Sequence, residues 1–211
     1  MGDPRGIGPE VVVKALSRED LREVCRPLIL GDPVILRRTA EALGLGWKIA
    51  RVEEESNRQV PDEGLGILPL SSLHPGKEPT DVDPQESSRA SFRYLEKAGR
   101  MALAGQVEAI ATGPVSKEAI AGTGIPFRGH TEFFAALAGT KDFVMMLAGE
   151  RLRVALVTTH VPLNEVSKGL KEEKIVSVIE ITGRSLIKYF GFPAPRIAVA
   201  AFNPHGGEGG L

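Results

Sequence analysis

Short apolar runs alternate along this chain with longer stretches of helical period, and that rhythm admits few architectures. The runs PLIL (27–30), KIARV (48–52), GILPL (66–70), VEAIAT (107–112), FVMML (143–147), LRVALVTT (152–159) and RIAVAAF (196–202) read as strands. Helices are expected between them, over 9–24, 33–43, 84–104, 116–121, 131–138 and 171–189. Strands separated by helices must return through crossovers, so the spacing predicts an α/β fold with a mostly parallel sheet. One interval breaks the rule. Only Ala148, Gly149, Glu150 and Arg151 separate the fifth and sixth runs, which is too short for a crossover and predicts an antiparallel hairpin.

The stretch LILGDPVILRRTAEAL places Asp32 as the cap of a helix and Pro33 at its first position. The opening MGDPRGIGPEVVVKAL repeats Gly-Asp-Pro before a helix but has no strand in front of it. A loop of this kind normally hangs from a strand end, so the expectation is a chain that begins one strand late. The closing NPHGGEGGL has turn chemistry and nothing that returns to a core, so that end is expected to be cut as well. The sequence therefore reads as part of a two-domain chain with one domain incomplete and the internal boundary open.

At 211 residues, 42% of them hydrophobic, the chain can bury a substantial core. The 26 Lys and Arg against 27 Asp and Glu leave a formal charge of −1, so no broad positive field is available for nucleic acid. The apolar runs are far shorter than a bilayer-spanning helix, which argues against membrane insertion. A lone cysteine, Cys25, and the lack of a secretory-type apolar leader fit a cytoplasmic protein.

Candidate chemistry concentrates on three of the four histidines. His130 stands at the mouth of a helix in FRGHTEFFAALAG, with Thr131 as its cap; His160 ends LRVALVTTH; His205 follows RIAVAAF in NPHGGEGG. Ligands of open α/β sheets collect beyond the carboxyl ends of strands, where His160 and His205 should emerge, and together they would make a partial divalent-metal site. A catalytic metal takes about three protein ligands, so a third must come from a partner subunit or from sequence outside these residues. His74, in a Pro/Gly loop, reads as an ordinary surface histidine. Lys117 in ATGPVSKEAI is open to two readings, a first-turn surface lysine or a partner for phosphate or carboxylate. GDPRGIGPE could bring amides toward an anion but matches neither G-x-G-x-x-G nor the Walker pattern, so a tight turn is the simpler reading. The helix at 84–104 carries an apolar stripe through Phe92, Leu95 and Leu103 and is expected to face the core.

Taken together and in order, GDPRGIGPE, TGPVSKEAI, PFRGHTEFFA, LRVALVTTHVPL and NPHGGEGG resemble the 4-hydroxythreonine-4-phosphate dehydrogenase family of pyridoxal phosphate biosynthesis, and the likeness runs along essentially the whole chain. The resemblance implies a three-layer α/β/α architecture similar to the isocitrate and isopropylmalate dehydrogenases, a homodimer and an active site shared across its interface. It implies that His130 and Thr131 contact substrate and that His160 and His205 bind a divalent metal (Zn, Mg or Co), with the third metal histidine beyond Leu211. It further implies NAD or NADP as oxidant and a small phosphorylated hydroxy acid as substrate, oxidised and then decarboxylated to 3-amino-2-oxopropyl phosphate. The resemblance names no catalytic base and no cofactor-binding residue on this chain.

Three other readings stand beside it. A sister enzyme would oxidise threonate or erythronate 4-phosphate, which carries a hydroxyl in place of the amine. A metal-dependent hydrolase or a phosphate-binding module would use the histidines without redox chemistry. The chain as written would also be an inactive piece if the absent third ligand lowers metal affinity enough.

Overall fold

The computed structural model describes residues 1–18, 20–53, 64–74, 76 and 81–209. They form two compact units, Met1–Ala138 and Gly139–Leu211.

The first unit is built on three parallel strands, β1 (Leu28–Gly31), β2 (Ile49–Arg51) and β3 (Leu65–Pro69), in the order β1-β3-β2. Leu65, Gly66, Ile67 and Leu68 are all buried, odd and even positions alike, so the central strand is covered on both faces. The covering helices are α1 (Gly8–Leu16), α3 (Pro33–Ala42) and α4 (Pro84–Leu103); the short α2 spans Asp20–Val24. Val13 of α1, Ile35 and Leu36 of α3, Ile67 of β3 and Tyr94 of α4 close one core. Each fully buried aliphatic side chain there contributes about 1.5–3 kcal/mol. Helix α4 also serves a second core through Leu95 and Phe92, against Ile120, Phe127, Phe133 and Phe134. Leu103, expected on its buried stripe, is instead 57% exposed, because the last turn of α4 packs through the face of Met101, which is 2% exposed, and Leu103 lies off that face.

Asp32 joins the sheet to its helices. It is fully buried at the end of β1, and its Oδ1 accepts from the backbone N–H of Val34 (2.9 Å) and Ile35 (3.2 Å), capping α3 as its sequence predicts. Its Oδ2 accepts from Ser71 Oγ (2.8 Å) and from the Leu73 amide (2.7 Å), 41 residues away in sequence. Ser71 Oγ also meets the Tyr94 hydroxyl at 2.5 Å, and burial drives the Tyr94 pKa well above its ordinary value.

The first Gly-Asp-Pro is a packing loop. The Met1 amino group donates to the Leu30 carbonyl of β1 at 3.0 Å, and the Asp3 amide donates to Pro114 O at 2.9 Å. A Cβ on Gly113 would lie 2.6 Å from Met1 O and 3.0 Å from Gly2 N, and one on Gly8 would collide with Met1 O. These glycines admit backbone against backbone, which supports the tight-turn reading of GDPRGIGPE. Gly113→Ala is accordingly expected to destabilise the protein by about 1–3 kcal/mol, because neither contact can rotate away. A denaturant midpoint unchanged from the parent would contradict this.

The second unit contains the antiparallel hairpin β4 (Met145–Ala148) and β5 (Arg153–Leu156), paired Met145 to Leu156 and Ala148 to Arg153. It continues through α7 (Val166–Gly169) to α8 (Glu172–Phe190). Helix α8 ends at Gly191, whose φ of +70° permits the Phe192 amide to return to Leu186 O at 3.1 Å. The Arg153 guanidinium lies 5.1 Å from the ring centroids of both Phe190 and Phe192, which ties β5 to the end of α8. The fold is thus α/β, mostly parallel with one hairpin, as the spacing predicts. No helix among the described residues is long and apolar enough to cross a membrane.

Two expected strands are not strands. Residues 107–112 and 196–202 join no ladder among the described residues, and Ile197, Val199 and Phe202 are 38%, 63% and 57% exposed. Composition predicts an extended backbone, but a strand also needs a partner backbone beside it, and alternation does not supply one. The helix expected over 9–24 is likewise interrupted after Leu16, where Ser17 returns its hydroxyl to Val13 O at 2.8 Å and the chain restarts as α2.

Candidate active site

In the first unit, α6 (His130–Leu137) begins one residue earlier than expected. Gly129 occupies the cap position in extended conformation with no side-chain cap, so Thr131 is a first-turn residue and not the cap. The preceding α5 (Lys117–Gly122) is capped by Ser116, whose Oγ accepts from the Ala119 amide at 3.2 Å.

His130 packs into the second core. Its ring is edge-on to Phe127 at 5.9 Å and tilted against Phe134 at 6.5 Å. Its Nε2 is buried and has no hydrogen-bond partner. Burial, then the nearby Lys117 charge, lowers its pKa below the ordinary imidazole value, so the ring is neutral at physiological pH. A neutral imidazole offers one donor and one acceptor, the equipment for orienting a hydroxyl or carboxylate. Thr131 beside it is half-buried.

In the second unit, His160 lies four residues beyond the end of β5 and His205 lies in a non-helical turn, Pro204–Gly207. Both are exposed, and both adopt left-handed backbone, with φ of +55° and +51°. Glu208 is the one further non-glycine residue with positive φ among those described, and its Oε1 is 3.9 Å from His205 Nε2. Left-handed backbone is costly for a side chain with a Cβ, and such strain concentrates at functional sites. The strand expected to run up to His160 ends at Leu156, so His160 stands on the turn beyond it. His205 follows no strand, because residues 196–202 are unpaired. Among the described residues no three His, Cys, Asp or Glu side chains gather into a metal-holding group. The two imidazoles suit a divalent cation in kind, being nitrogen donors on exposed turns of one unit, and they are two of the about three donors a catalytic site uses.

Sequence reasoning left Lys117 undecided and passed over Gly129 and Glu132. A Cβ at Gly129 would lie 2.8 Å from Glu132 Oε2 and 3.2 Å from Lys117 Nζ, so the three meet at one point beside His130. The sequence signal was a lysine opening one helix and a glutamate in the first turn of the next, but only the chain path between them places them together.

Residues 23–211 match the family model described as pyridoxal phosphate biosynthetic protein PdxA. The chain belongs to this family. It is 42% identical over 216 residues to the 4-hydroxythreonine-4-phosphate dehydrogenase of Trichlorobacter lovleyi, covering all of this chain and 63% of that protein. It is 36% identical to the D-threonate 4-phosphate dehydrogenase of Cupriavidus necator, again over the whole chain and 63% of the relative. Among solved structures, the 4-hydroxythreonine-4-phosphate dehydrogenase of Burkholderia phymatum superposes with a TM-score of 0.84 at 35% identity, covering 100% of this chain and 63% of that one. The chain thus spans under two thirds of the length of the PdxA-family relatives it matches.

Proposed function

We propose that this PdxA-family chain carries part of the active site of a dehydrogenase that oxidises 4-phosphohydroxy-L-threonine with NAD or NADP. The ketone formed is a β-keto acid, and loss of carbon dioxide from it gives 3-amino-2-oxopropyl phosphate, a step in pyridoxal phosphate synthesis. The observation that carries this reading is the 42% identity, along the whole chain, to a relative named for that substrate.

His160 and His205 are assigned as two ligands of a divalent metal, zinc, magnesium or cobalt. When bound, the metal and the nicotinamide supply a Lewis acid for the substrate hydroxyl and an acceptor for the two electrons that leave with its carbon-bound hydrogen. His130 and Thr131 hold the substrate. The His130 ring is pinned by Phe127 and Phe134, and burial and the nearby Lys117 favour its neutral form, so it orients the substrate without adding a second positive charge. The aromatic wall keeps water from one side of that ring. A homodimer is proposed as the working form, supported by exposed apolar side chains on the second unit such as Leu147, Leu152 and Ile187 at 63%, 69% and 52% exposure. An exposed, unpaired Cys25 is in keeping with a cytoplasmic setting.

A second substrate has a specific observation in its favour, the 36% identity to a D-threonate 4-phosphate dehydrogenase. The two substrates share the phosphate, the carboxylate and the oxidised alcohol. NAD(P) reduction measured side by side with 4-phosphohydroxy-L-threonine and D-threonate 4-phosphate, each with and without added divalent metal, separates them. Higher kcat/KM with the amino acid, abolished by chelation, is the expected result. Preference for the sugar acid would transfer the assignment to the sister reaction, and turnover of neither by a chain extended to the full length of its relatives would remove both.

A further inference from the structure

Lys117 is the charged group near His130 that the proposed reaction leaves without a task. A cation in the first turn of a helix opposes the helix dipole, so helix stability does not account for its position. The chain nevertheless fixes that position at two places: Ser116 caps α5, and the Asp3 amide holds the preceding loop through Pro114 O at 2.9 Å. Among the described residues Lys117 forms no ion pair, although Glu132 is close by. Between the ammonium and the carboxylate lies the space that a Cβ at residue 129 would fill, 3.2 Å from one and 2.8 Å from the other.

We propose that Lys117 is a binding residue for an oxyanion of the substrate, its ammonium holding a carboxylate or phosphate in the cradle that Gly129 keeps open beside His130. The identity of that substrate rests on the function proposed above; the anion site itself does not. Glu132, beside the cradle, accepts a hydrogen bond from a neighbouring hydroxyl or ammonium of the same molecule. His130, held neutral, adds a hydrogen bond without competing for the anion's charge. Both substrates named for the relatives carry a phosphate and an acid group.

The test uses the 211-residue chain without cofactor or turnover, following the imidazole signals of His130 by NMR while inorganic phosphate, or in a separate arm D-threonate, is added. Either anion should raise the His130 titration midpoint and saturate, and the arm that does so names the group bound. Lys117→Met should weaken that binding about ten- to hundredfold, the loss of one charged hydrogen bond, and Lys117→Arg should recover most of it. Gly129→Ala should weaken it with Lys117 intact, because the added Cβ pushes the Lys117 ammonium aside. Without anion, Lys117→Met should still raise the midpoint, which reports that the lysine faces the ring. Equal binding by the parent and Lys117→Met, or no response of His130 to either anion, would overturn the proposal. A dehydrogenase assay that failed while anion binding followed Lys117 would overturn only the reaction.

Discussion

Replacing Asp32 by alanine is expected to cost about 3–5 kcal/mol of folding stability, a large share of what a domain of this size possesses. Four donors converge on its carboxylate, two from the first turn of α3 and two from Ser71 and Leu73 across the sheet edge. Loss of the cap alone costs about 1 kcal/mol, and each buried donor left without a partner adds about 1–3 kcal/mol. The Ile35 and Leu73 amides are the most exposed to this penalty because both are buried, away from water. Ser71 suffers less, since its hydroxyl keeps Tyr94. Asp32→Asn should recover only part of the loss, because its amide group turns a donor toward one pair of donors. Urea unfolding followed by circular dichroism decides the matter. A shift in midpoint no larger than that of an ordinary surface substitution would mean that the network contributes little.

His160→Gly and His205→Gly should separate stability from function in opposite directions. Both residues carry left-handed backbone, φ +55° and +51°, which glycine adopts without the Cβ clash. Each substitution is therefore expected to leave thermal stability unchanged or to raise it, by up to about 1 kcal/mol. Zinc affinity measured by calorimetry should fall by about a hundredfold or more, since loss of an outer partner alone typically costs 10–100-fold. Zinc binding equal to that of the parent in both variants would remove the metal assignment. A fall in stability without any change in zinc binding would make the two turns purely structural.

Much of the first unit was legible because the deciding interactions are local. Gly31-Asp32-Pro33 announces a strand end, a cap and a first helical residue, and each is found there, since a cap is satisfied within three positions of itself. The hairpin at 145–156 was legible from a connection too short for anything else. The strands at 107–112 and 196–202 were not, because pairing depends on a neighbour that alternation cannot name. The same limit applied to the site. The histidines stood out by residue type, whereas the meeting of Lys117, Gly129 and Glu132 depends on two helix starts brought side by side by their loops.

Sequence alone was sufficient for the α/β class, the family and the three histidines worth testing, all of which follow from periodicity, local capping and ordered motifs. Tertiary structure decided which apolar runs found a partner, that Asp32 bridges to Leu73 across 41 residues, and that burial and a nearby lysine lower the pKa of His130. The physical reason is range. Caps, turns and periodicity act within a few residues, whereas burial, strand pairing and the electrostatics of a site depend on groups that only the folded chain brings together.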